Sequence, residues 1–268
     1  MTMTARKAQL AGLAAILALS TAGCGALSDA ADAPAAAPTS TKPLDPQIVL
    51  VDAVPGEDDG AYHFDVKGAE VPTSGVLDAP KKAAEIKAVQ TEPDAGFTLT
   101  MTTRMIGEQT WVKMAFSPAT IPGLPKIPKN WQLLDGSKIK DQDLIGYDGS
   151  LDPGYAKLLV QKASGIKETS AGHFAGTTDL TQSTEAEIVD EKTLKALGEK
   201  AKKVPFEAAI DADGNLSSLV AKIPAAGKTK AKTYSVTYSG FGSTATPAVP
   251  AAGEQQKATS VIYEMLAG

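Results

Sequence analysis

The sequence predicts an α+β fold in which a single domain is built on an antiparallel β-sheet. Three observations predict it. Short runs rich in β-branched and aromatic residues, several with apolar/polar alternation, recur from about residue 47 onward, bounded by turn residues. The connections between neighbouring runs are too short for parallel crossovers, which need about a dozen residues. Two or three stretches with helical spacing are interspersed among the runs rather than alternating with them. About eight to ten strands are expected on this pattern. There is no repeat of fixed period and no second linker.

In chain order, Ile48 to Val51 is a short apolar run that suits a strand or a short helix. Gly56 to Gly60 is an acidic turn. Tyr62, Phe64 and Val66 alternate with polar residues and mark a half-buried strand. Gly75 to Asp78 is a second short strand, and Ala83 to Val89 fits strand or helix. Phe97, Leu99, Met101 and Thr103 alternate with threonines, Gly107-Glu108 turns the chain, and Val112, Met114 and Phe116 return it. Residues 117–129 contain Pro118, Pro122, Pro125 and Pro128, which excludes a helix interior or a central strand. This segment either covers an opening or is an inert insertion. Asp152 to Ser164 predicts a helix capped by Asp152, with Pro153 in its first turn and Gly165 as its stop. His173 to Leu180 is a strand.

Asp190 opens the best helix, with Leu194, Leu197 and Ala201 on one face and lysines on the other. Val204 to Ile210 and Leu216 to Ile223 form a hairpin around Asp211–Asn215. Lys232 to Phe241 is a longer strand, and Val261 to Leu266 is a last apolar segment.

Composition excludes several functions. The chain has 268 residues with one cysteine and two histidines, so an internal disulfide and a His/Cys metal cluster are excluded. A net charge of −5 offers no basic footprint for nucleic acid. His63 and His173 both fall within strand patterns, and no Gly-x-Ser-x-Gly elbow is present, so no enzyme is expected. Asp211, Asp213 and Asn215 match the first ligand positions of a calcium loop. Leu216 replaces its glycine and Lys222 its bidentate glutamate, so a hairpin turn is the reading. No cofactor is expected, and the chain is read as a monomer.

Residues 1–23 read as a leader. Arg6 and Lys7 precede an apolar run, Leu10 to Leu19, which is too short to span a bilayer needing about 20 residues. The run ends in Ser20-Thr21-Ala22-Gly23-Cys24, which resembles the lipobox of bacterial lipoproteins, although Thr21 replaces the usual leucine. That resemblance implies a diacylglyceryl group on Cys24, cleavage before it, and a protein held to the outer face of the cell membrane. Two acyl chains anchor stably, each buried CH₂ contributing roughly 0.8 kcal/mol. Removing residues 1–23 leaves 24 basic against 31 acidic side chains, net −7. Residues 24–46, rich in Ala, Pro, Ser, Thr and Asp, read as a tether. The folded domain is expected over 47–268.

A wider resemblance rests on the order of several pieces. These are the lipobox cysteine, the Ala/Pro tether, Gly75-Val76-Leu77-Asp78 followed by Lys81-Lys82-Ala83-Ala84, and Trp111 in a strand. Leu158-Leu159, His173-Phe174 with Gly176 and Asp179, and Leu197-Gly198 before Val204-Pro205-Phe206 follow. The series closes with Ile210-Asp211, Asp213-Gly214, Leu216 and a late Phe241-Gly242. In this order they resemble the LppX/LprG-type lipoproteins of actinobacterial envelopes, whose fold is similar to the LolA/LolB carriers. The resemblance implies a curved antiparallel half-barrel wrapped around helices, in which some members hold a lipid or lipoglycan. It implies an apolar lining from Phe97, Leu99, Met101, Val112, Met114 and Phe116 on strands, and from Leu158, Leu159, Leu194 and Leu197 on helices. The alternative is a structural or interaction lipoprotein of the same fold, in which these side chains fill a dry core.

Overall fold

Pairing of the alternating runs generates one open sheet of twelve strands. The computed structural model describes residues 44–119, 121–140 and 144–267. The leader, Cys24 and the tether as far as residue 43 lie outside the described residues. Strands β1 (Tyr62–Lys67), β2 (Thr73–Asp78), β3 (Ala83–Glu92), β4 (Phe97–Ile106) and β5 (Gln109–Ser117) form one antiparallel meander. Strands β7 (Ala163–Ser170), β8 (His173–Thr178), β9 (Val204–Ile210), β10 (Leu216–Ile223) and β11 (Lys232–Ser239) form a second. Antiparallel pairing of β1 with β11 welds the two, with Phe64 opposite Tyr238 and Val66 opposite Val236. Two three-residue strands, β6 (Trp131–Leu133) and β12 (Gln255–Lys257), extend the edge beyond β5, and β12 pairs with β6 in parallel. The order is β12-β6-β5-β4-β3-β2-β1-β11-β10-β9-β8-β7.

The period-2 pattern sets which face is covered. Tyr62, Phe64 and Val66 are buried while His63 and Lys67 are exposed. Their row continues through Leu77, Ala84 and Met105 on one side. It continues through Val236, Leu219, Ala208 and Phe174 on the other, all in one cluster. Three helices cover this row. α1 (Pro46–Ala53) starts with Asp45 accepting the Gln47 N–H at 2.9 Å and with Pro46 in its first turn. α2 is Ala156–Gln161, and α3 (Glu191–Leu197) is capped by Asp190, whose carboxylate accepts the Thr193 N–H. Leu50, Ala53, Leu159, Val160 and Leu197 from these helices pack into the sheet cluster. A second cluster forms where α4 (Ser260–Leu266) sets Ile262 against Val112 and Met114 of β5.

Two open alternatives are resolved: Ile48–Val51 lies in helix α1, and Ala83–Val89 in strand β3. Other expectations are corrected. Asp45 and Pro46, placed in the tether by composition, cap and open α1. The helix expected over 152–164 is only Ala156–Gln161. Tyr155 occupies its cap position with φ 49°, so the chain turns sharply there instead of running on from Pro153. Asp152 still accepts the Lys157 N–H at 2.9 Å. Gly165 does not stop a helix but lies in β7 with φ 64°, where the pairing with β8 is irregular. Among the described residues twelve strands stand where about eight to ten were expected on alternation alone.

Candidate functional site

Alternation along the β4–β5 hairpin puts the predicted strand residues on one face. Leu99 lies opposite Phe116, and Met101 opposite Met114. Phe97 and Phe116 meet edge to face with centroids 5.4 Å apart. Val112 and Met114 are buried, and Leu99 and Met101 pack half-buried around them with Leu134, Ile139 and Ile262. The predicted helix residues lie elsewhere. Leu159 and Leu197 are buried in the larger cluster with Phe64, Phe206 and Leu219, and Leu158 and Leu194 pack against it. The ten residues are therefore gathered into two groups on neighbouring stretches of the same sheet face.

Two depressions accompany these groups. One, of about 510 Å³, lies between the proline-rich segment and α4, walled by Leu124 and Pro125 on one side and Val261 and Met265 on the other. Val261 and Met265 also pack against the Val112–Met114 cluster, so the apolar wall continues into it. The other, of about 490 Å³, lies on the opposite, polar sheet face among His63, Asp65, Ser74, Glu85 and Lys87.

A tyrosine-rich seam was not legible as a site in the sequence. The Tyr234 hydroxyl donates to the Gly154 carbonyl at 2.6 Å, and the Tyr238 hydroxyl to Asp152 Oδ1 at 3.1 Å. Tyr62 stacks on Phe241 at 5.2 Å and meets Tyr238 edge-on at 5.9 Å. Burial pushes the Asp152 carboxyl above the usual carboxylate range, opposed by the N–H of Lys157 and the Tyr238 hydroxyl. Burial also pushes the Tyr147 phenol up to about 12 and holds Tyr62, Tyr234 and Tyr238 un-ionised still more firmly. This seam fastens the loop before α2 onto β11. Its tyrosine hydroxyls donate to the Gly154 carbonyl and the Asp152 carboxyl, which hold the loop in place.

His63 and His173, the two candidate bases, sit on separated strands, exposed on β1 and at the start of β8. The Asp211 loop is a hairpin turn, with its carboxylate accepting the Asp213 and Asn215 N–H groups at 3.0 and 2.9 Å, and Gly214 at φ 92°. Among the described residues no helix is long and apolar enough to cross a membrane.

No protein-family model matches the chain, and no curated protein matches it. Among solved structures, a porin-like protein from Bacteroides uniformis aligns at 10% identity over 70% of this chain and 98% of its own, with a TM-score of 0.17. A likeness at that level carries no argument for fold or function.

Proposed function

We propose that this chain is an envelope lipoprotein, held at the outer face of the cell membrane through a lipidated Cys24, that binds a lipid or lipoglycan at its apolar sheet face. The proposal places it with the LppX/LprG-type lipoproteins and reads its open sheet as their curved half-barrel. The observation that carries the ligand reading is the depression of about 510 Å³ between the proline-rich segment and α4. That volume lies within the range of small-molecule sites, roughly 300–1,000 Å³. Its Val261 and Met265 wall is continuous with Val112, Met114, Leu99 and Met101, so an alkyl chain could lie along that wall, with Glu264 at the polar side of the depression. The proline-rich segment then serves as the outer wall of the site.

The test is mass spectrometry of lipids extracted from the purified protein carrying Cys24→Ser, which has no acyl anchor of its own. A stoichiometric co-purifying lipid, lost in Met265→Glu, is the expected result. A lipid-free protein that also fails to take up a fluorescent fatty acid would exclude the ligand reading. A second reading, a structural lipoprotein with a filled core, is favoured by one observation. Leu159 and Leu197 are 1% and 4% exposed within the larger cluster, so these two of the ten predicted lining residues are occupied by packing.

A further inference from the structure

Charge is unevenly divided along the domain. Residues 44–153 carry 17 acidic and 10 basic side chains, whereas residues 154–232 carry 10 acidic and 12 basic. Part of that excess gathers at one corner. The Gln47 side-chain amide donates to the carbonyls of Val160 and Gln161 at 2.9 and 3.2 Å, so the start of α1 lies at the C-terminal end of α2. The next residue, Lys162, accepts the Asp179 N–H through its carbonyl at 3.1 Å. Asp179 opens the short 3₁₀ turn Leu180–Gln182, which packs against the 3₁₀ segment Gly198–Lys203. Lys162, Lys200, Lys202 and Lys203 are thereby brought to the place where the chain enters the domain, and all four are exposed. Three carboxylates lie at this corner: Glu199 pairs with Lys202 at 2.8 Å, Asp179 feels the Lys202 charge, and Asp45 caps α1 beside Leu44. Lys162, Lys200 and Lys203 make no ion pair among the described residues. At the same corner Leu44 and Ile48, four residues apart, are 74% and 54% exposed.

We propose that this corner is the membrane-facing surface of the domain, with its lysines against the phosphates of anionic phospholipids and Leu44 and Ile48 at the interface. The proposal rests on the Cys24 anchor reading, which fixes the occupant. The chain leading from the acylated residue enters the domain here, so the bilayer is the surface kept at high local concentration. The charge complements it: a net-acidic protein is repelled by an anionic leaflet except where a basic patch is turned towards it. Apolar side chains beside lysines are the pattern of an interfacial contact.

The experiment is amine footprinting. The acylated full-length protein is placed on phosphatidylcholine vesicles, with or without about 30 mol% phosphatidylglycerol, and treated with acetic anhydride before peptide mass spectrometry. Labelling of Lys162, Lys200 and Lys203 is expected to fall about threefold or more on the anionic vesicles and to recover in about 0.5 M salt. Lys87 and Lys113, exposed on the polar face of β3 and β5, are expected to label equally on both. Uniform labelling, or protection of Lys87 and Lys113 instead, would overturn the proposal. Protection on neutral vesicles by soluble glycerol phosphate would also overturn it, assigning the lysines to a free phosphate-bearing ligand. The anchor reading fails separately, if the protein does not sediment with neutral vesicles. In that case the unacylated chain on anionic vesicles still reports which face meets the lipid.

Discussion

Glycine 154 shows how a missing side chain fixes a loop. A Cβ at that position would lie 2.4 Å from Val236 Cγ2, so the backbone before α2 rests directly on β11. The Tyr234 hydroxyl then reaches the Gly154 carbonyl. Gly154→Ala is expected to lift the loop and to destabilise the domain by about 1–3 kcal/mol, the usual cost of overpacking. Denaturant midpoints measure it, and Val236→Ala in the same chain should recover part of the loss if the contact is the cause. Two residues earlier, Asp152 gives a pH signature. Its carboxyl is raised in the folded state, so its contribution to stability is fully present below the ordinary value of 3.8 and is lost as pH rises through the folded value. Asp135, Asp148, Asp179, Asp190 and Asp211 are lowered, mainly by hydrogen bonds at caps and turns, and act in the opposite sense. Asp152→Asn isolates the one from the others. The stability of the native chain relative to this variant is expected to be greatest below the ordinary value of 3.8 and to shrink as the pH rises above it. A difference that does not change with pH would mean that Asp152 titrates normally.

Among the elements, α4 is one whose existence depends on its partners. Seven residues are too few for a stable helix in water, where about 12–15 are already marginal. Ile262, fully buried against Val112 and Met114, is what holds it. Ile262→Ala is expected to cost about 2–5 kcal/mol in the stability of this region, freeing α4 and the β12–β6 pairing before the main sheet. Hydrogen exchange should then rise over 255–266 while β8–β11 stays protected, and Trp131, at the paired edge, should become quenchable. The same elements explain what the sequence could and could not tell. β1, β4, β5, β9 and β10 were legible because apolar residues recur at alternate positions along each, and period-2 patterning is a local signal. β7 was not, because an edge strand reading Ala-Ser-Gly-Ile-Lys-Glu-Thr-Ser half-buries only Ala163 and Ile166. β12 was not, because its pairing with Trp131–Leu133 joins residues about 120 positions apart. The candidate lining was legible as faces but not as neighbours. Periodicity put Met101 and Met114 together, yet nothing local showed that α4 would cover them while Leu159 and Leu197 joined another cluster.

For the molecule as a whole, the address and the fold combine into one expectation. The charge of the mature chain, −7, opposes adsorption to an anionic leaflet, and no described helix can span a bilayer. On the proposed anchoring, membrane residence would depend chiefly on Cys24, since a corner of a few lysines gives only reversible attraction, about 1 kcal/mol per charge near the surface and screened within a Debye length. Cys24→Ser is expected to move the protein from the membrane to the soluble extracytoplasmic fraction at physiological salt, as a sedimentation assay of cell fractions would show. At low ionic strength a minor part of the variant should return to vesicles containing anionic lipid, through the lysine corner. Full membrane retention of Cys24→Ser in about 0.5 M salt would contradict the anchor, since neither the acyl chains nor the screened lysines could then account for it.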